Sequence, residues 1–203
     1  MRTVLLLAAL LLLAACGTED GATATDPGSG PPTAVPAAPG LVTTRGPVTV
    51  MDIGTPEVCL GPVAESWPPQ CGGPELVGWD WTDQKGAYES QGDIRWGTFT
   101  VTGTWDGTAL TVAEAVPGRT GGGVLAEDPP VLPEPEETNG SAELERIAAE
   151  VGDDLPGAQG GYVLDGHVLV DVVYDDGSLQ DWVDEQYGED VVLVTPMLVD
   201  VER

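Results

Sequence analysis

The residues best equipped for chemistry are few: Cys16, Cys59, Cys71 and His167 are the only cysteines and the only histidine among 203 residues. Cys59 and Cys71 stand 12 apart in VCLGPVAESWPPQC. Two thiols at that spacing can close a disulfide loop or contribute to a metal site. Zinc needs further ligands, commonly from a C-x-x-C pair or a nearby His, and neither is here. The absence of C-x-x-C also argues against a redox pair. His167 opens a β-type run beside a turn, with no Ser or Cys nucleophile at a recognisable spacing, so a structural role is expected. Asp175-Asp176-Gly177 lacks the alternating carboxylates and the twelfth-position Glu of a calcium loop. It is expected to form the turn before a helix beginning at Ser178, with Asp181, Asp184 and Glu185 on the solvated face. Gly121-Gly122-Gly123 has no following Lys and no strand–helix context, so it does not cradle phosphate. No catalytic residue, metal ligand or cofactor is expected.

Cys16 has a different context. Met1-Arg2-Thr3 carries one positive side chain, and Val4 to Leu13 is an unbroken apolar run. The run is too short to span a bilayer, which takes about 20 apolar residues. It has the length of a signal-peptide core. It ends in Leu13-Ala14-Ala15-Cys16, which resembles the lipobox of bacterial lipoproteins. That resemblance implies lipid on the Cys16 thiol, removal of residues 1–15 and retention on the outer face of the cell membrane. In such an oxidising compartment, Cys59 and Cys71 are expected to pair, at a gain of about 3 kcal/mol for a loop this short.

Composition narrows the partners. Lys and Arg total 7 against 34 Asp and Glu, a formal charge of −27. Such a surface repels nucleic-acid phosphates and anionic headgroups, so the expected membrane contact is the lipid alone. It suits cationic partners or metal ions, although an acidic surface is also common simply for solubility. The scarcity of lysine beside abundant Ala, Gly, Val, Asp and Pro suggests a GC-rich genome, such as that of an actinobacterium.

These features must be positioned by four stretches. Residues 16–40 are rich in Gly, Pro, Thr and Ala and read as a disordered tether, with a coil-like reach of about 25–30 Å. Residues 41–116 read as a β module. Val48, Val50 and Ile53 mark one strand and Leu76 to Trp81 another. Thr98 to Trp105 alternates at period 2 into an Asp106-Gly107 turn and a return strand, Thr108 to Val112. Gly103 interrupts the apolar face, as at a bulge or a close backbone approach. Five of the six tryptophans fall in this module and are expected to build its core, with an aromatic ligand platform as the alternative. Residues 117–140 read as a second linker. Residues 141–203 read as α-β-β-α-β. Ser141 and Ser178 are expected as helix caps, Gly152 and Gly188 as stops, and Val191 to Val194 as the last strand. The predicted fold is α+β: a small β-barrel, with an OB-like form as the finer expectation, followed by a small α-β-β-α-β sandwich. The two are expected to fold independently.

VCLGPVAESWPPQCGGPELVGWDW followed by WGTFTVTGTWDGTALTV resembles a module of uncharacterised actinobacterial lipoproteins and secreted proteins. The resemblance covers about a third of the chain. It implies a small β-barrel and an envelope location, and no known catalytic activity. The helix–strand units near the C-terminus are weakly similar in topology to protease-propeptide-like domains. The expected function is that of a lipid-anchored, non-catalytic binding or scaffold protein acting on an unknown envelope protein or ligand. The alternatives are a metal-ion or small-ligand-binding lipoprotein and, last, an enzyme.

Overall fold

A computed structural model describes residues 32–118, 132–134 and 139–201. Cys16, the apolar leader and Gly121-Gly122-Gly123 lie outside these residues. The described chain is mostly β with two helices, an α+β arrangement, and residues 31–203 group as one compact unit. Its strands are β1 (Leu41–Thr44), β2 (Val48–Asp52), β3 (Pro56–Cys59), β4 (Leu76–Val77), β5 (Tyr88–Gln91), β6 (Ile94–Trp105) and β7 (Leu110–Pro117). Then come α1 (Ser141–Asp154), β8 (Ala158–Leu164), β9 (His167–Val172), α2 (Ser178–Tyr187), β10 (Val192–Pro196) and β11 (Leu198–Asp200).

The first sheet is organised by the 12-residue β6. On one side its N-terminal half pairs with β2 and its C-terminal half with β1; on the other it pairs with β5 and β7. A strand that serves four neighbours along its length must bend, and the sheet curls into a half-barrel. Where Gly103 stands, the β6–β7 register shifts. A Cβ there would lie 2.1 Å from the Thr111 carbonyl oxygen, so no larger residue fits. The expected bulge is present, with Ala113 of β7 as the extra residue; β6 itself alternates without a break, so Phe99, Val101 and Trp105 face the same core at 0, 0 and 3 % exposure. The turn after β6 is held by Asp106, whose carboxylate accepts from the Thr108 and Ala109 amides at 2.8 Å.

Three sequence expectations are corrected here. Leu76 to Trp81 is a strand only at Leu76–Val77; Gly78, at φ +81, turns the chain so that Trp81 enters the core. Ile53 lies beyond β2 and is 69 % exposed. The end of the expected tether is docked: Val35 and Ala38 pack on the first core, and the Trp105 indole donates to the Pro36 carbonyl at 2.9 Å. A buried indole N–H needs an acceptor, and here the incoming chain supplies it.

The second sheet has the order β10-β9-β8, with β9 and β10 parallel. Val168, Val170 and Val172 turn one face to α1 and α2, where Leu144, Ile147, Val151, Leu179 and Val183 complete a second core. The helix ends differ from expectation. Ser141 is the first helical residue and Gly140 precedes it without a side-chain cap. Gly152 does not stop α1. It lies where the helix crosses β8, and a Cβ there would meet the Gly161 amide nitrogen at 3.0 Å, so the glycine serves close packing. Ser178 does not cap α2. Asp175 does: its carboxylate accepts from the Leu179 and Gln180 amides at 2.9 and 3.3 Å, four and five residues on. Gly188 ends α2 as expected. Gln180 adds a contact that periodicity does not announce. Its side-chain amide donates to the Val192 carbonyl and accepts from the Val194 amide, covering the outer edge of β10.

The two sheets are joined. One residue after β10, β11 leaves the second sheet and pairs with β1 of the first. Leu198, fully buried, enters the first core together with Val173 and Tyr174 from the segment after β9. The Tyr174 hydroxyl donates to Asp200 at 3.2 Å. Burial first, then the Asp200 charge, push that phenol up to about 12. The 141–203 stretch thus contributes a strand and core side chains to the sheet that 41–116 begins.

Candidate functional site

Cys59 ends β3 and is bonded to Cys71, with Cα atoms 5.9 Å apart. Cys59 is opposite Thr49, and two residues along β2, on the same face of the sheet, Met51 is opposite Trp96. The bond therefore lies on the outer, convex face. The loop it closes covers that face, with Trp67 edge-on to Trp96, ring centres 5.0 Å apart. Trp96 is 6 % exposed beneath it, whereas Trp67 is 67 % exposed. After Cys71, Gly73 crosses the β3 backbone so closely that a Cβ would lie 1.9 Å from the Val58 carbonyl oxygen. Val58 then donates to the Pro74 carbonyl at 3.0 Å, leading the chain into β4. The Cys-Gly-Gly-Pro run is a crossing point fixed by the disulfide. Most of the tryptophans are core, as expected: Trp81 and Trp105 inside, Trp79 half-buried against Trp81 and Phe99.

His167 is 3 % exposed. Its Nδ1 lies 3.1 Å from the Asp165 carbonyl oxygen and its Nε2 2.8 Å from that of Pro133. Both nitrogens face acceptors, and a neutral ring donates to only one of them at a time. The ring fastens residues 132–134, part of the expected linker, to β9. Asp175 and Asp176 are engaged by backbone amides at the start of α2. Among the described residues no three His, Cys, Asp or Glu side chains converge as metal ligands.

A cleft of about 430 Å³ opens where the disulfide loop meets the second sheet. Leu60, Gly61 and Pro62 form one wall, and β8 from Gln159 to Tyr162 forms the other, with Asp171 of β9 and Met197 alongside. Its volume falls in the range of small-molecule sites. The sheet face that lines it is opposite the helices. Gly160 is the cross-strand partner of Asp171 beside a bulge, at φ +138, with nothing within 4 Å of a Cβ position. No side chain from β8 therefore stands directly across from Asp171. Tyr162 lies two residues from Gly160 on the same face. Burial pushes the Asp171 carboxyl above the usual carboxylate range, and Arg45 opposes this more weakly. Burial and then the Asp171 charge raise the Tyr162 phenol. Arg45 is held by its Nε, which donates to the Pro196 carbonyl at 3.0 Å. Among the described residues no ion pair engages Asp171.

None of these cleft residues stands out in the sequence. The available signal was one charged residue inside the apolar run HVLVDVV and a Gly-Gly pair opening β8. Both disturb a strand pattern, and both converge on this cleft. Together they define an α+β chain in which a cleft, formed where the disulfide loop abuts the second sheet, presents one carboxylate and one phenol. No protein-family model, curated protein or solved structure matches the chain.

Proposed function

We propose that this protein is a lipid-anchored, non-catalytic binding protein of the outer face of the cell membrane, and that the cleft holds its ligand. The anchor part of the reading rests on the Leu-Ala-Ala-Cys16 sequence after a ten-residue apolar run. The binding part is carried by one observation: the cleft between the disulfide loop and the free face of the second sheet, with a half-buried carboxylate opening into it. Its polar groups suit recognition. Among the described residues, those lining the cleft include no Ser, Cys or His for a nucleophile–base pair, and both ring nitrogens of His167 face backbone carbonyls. We also assign the first sheet to an OB-like barrel, supported by its curl, and the 41–116 stretch to the actinobacterial lipoprotein module it resembles.

Thermal unfolding of the lipidated protein in detergent tests the binding reading against a panel of diamines, amino acids, short peptides, sugars and calcium. At least one member should raise the midpoint with concentration, because a ligand held only by the folded state stabilises it. Pro62→Trp, which places an indole in the cleft mouth, should remove that rise. A panel without effect, or a rise unchanged in Pro62→Trp, would contradict the assignment of the cleft.

A further inference from the structure

We propose that the cleft is selective for an organic cation, an ammonium or guanidinium group seated on the Asp171 carboxylate beside the Tyr162 ring. This rests on the binding reading above and specifies its ligand. The first support is geometric. Asp171 is in a central strand between two valines; its cross-strand neighbours are Thr195 on β10 and Gly160 on β8, and the glycine leaves the β8 side without a side chain. On the β8 side the sheet leaves the carboxylate uncovered, and neither cross-strand neighbour carries a charge to neutralise it. Burying a charge without a partner is costly, so a strand that keeps one at this place gains when a cation arrives.

The second support is the company it keeps. Tyr162 is near the carboxylate on the same face and is 45 % exposed, and an aromatic face attracts cations. Gln159 is on the same β8 wall, where it meets the disulfide loop. Its amide nitrogen donates to the Gly157 carbonyl at 3.1 Å, and its Oε1 is aimed at Gly61, 2.5 Å from where a Cβ would stand there. That oxygen is a second acceptor at the cleft wall. Acceptors and a ring suit a donor-rich cation. A hard divalent metal ion would ask for six or more oxygens around it, and the cleft offers one carboxylate. Among the described residues, Arg45 is the positive side chain acting on Asp171. Its Nε is committed to the Pro196 carbonyl, and its influence is weaker than that of burial. The −27 formal charge of the whole chain would draw cations toward the surface and leave selection to the cleft.

Calorimetry on the lipidated full chain in detergent tests this with three five-carbon probes of equal length: cadaverine, 1,5-pentanediol and glutarate. Agmatine tests the guanidinium and calcium the metal alternative. Cadaverine or agmatine should bind saturably with one site, and pentanediol and glutarate should bind at least tenfold more weakly. Asp171→Asn should lower the cation affinity at least tenfold without lowering the unfolding midpoint, since it removes a half-buried charge that no ion pair engages among the described residues and keeps the shape. Asp181→Asn makes the same charge change on the exposed face of α2 and should leave the affinity unchanged. Equal weakening by the two variants would overturn the proposal, as would tight binding of the diol, of glutarate or of calcium in place of the cations. Binding of a neutral or anionic probe that Pro62→Trp abolishes would overturn the cation and keep the cleft. No saturable binding of any probe, with the wider panel also silent, would remove both.

Discussion

Leu198→Ala should destabilise both sheets together, by about 2–5 kcal/mol. The residue is fully buried in the first core, yet it is reached only through the second sheet: β10 ends at Pro196, and Met197 and Leu198 donate to the Val172 and Val173 carbonyls before β11 pairs with β1. Emptying that position leaves a cavity at the point where the two cores share chain. Hydrogen exchange should show protection falling in β6 and in β9 by the same factor, as for one cooperative unit. Loss confined to β6, with α1 and β9 as protected as before, would mean that 141–203 folds on its own.

Reduction of Cys59–Cys71 should cost about 3 kcal/mol, the loop-closure stabilisation of a bond spanning 12 residues. The same loss is expected for Cys59→Ser with Cys71→Ser. Because the closed loop carries Trp67 onto Trp96, the change should also raise the solvent exposure of Trp96, read as quenching of tryptophan fluorescence by acrylamide. The loop supplies Leu60, Gly61 and Pro62 to the cleft, so ligand affinity should fall even at temperatures where the reduced protein stays folded. A reduced protein with unchanged denaturant midpoint and unchanged affinity would show that the loop holds its place without the bond.

The elements most legible in the sequence are those whose information is local. The alternation from Phe99 to Trp105, the glycine that interrupts it and the Asp106-Gly107 turn predict a bulged hairpin, which is present because each residue's neighbours decide its place. The apolar spacing of Leu144, Ile147, Ala148 and Val151 likewise predicts the buried face of α1. What escaped was set by contacts that the local pattern does not announce. Ser178 looks like a cap, but Asp175 reaches the free amides first. Gly152 looks like a stop, but its missing side chain is used by β8. Composition marks 16–40 and 117–140 as linkers, yet Pro36 and Pro133 each offer a carbonyl that a buried ring nitrogen needs. The same holds for the cleft. Asp171 is an ordinary acidic residue in a list of 34 acidic side chains; its meaning comes from Gly160 across the strand and from the disulfide loop a hundred residues earlier.

Everything proposed for this protein's place in the cell depends on Cys16. The decisive measurement is the mass of the N-terminal peptide released by protease from protein extracted out of membranes. The account predicts that this peptide begins at Cys16 and carries the added mass of a diacylglycerol on its sulfur, and that Cys16→Ser yields neither the lipid nor the membrane-bound form. A peptide that still begins at Met1, or one that begins at Cys16 with a free thiol in protein released from the membrane, would contradict it.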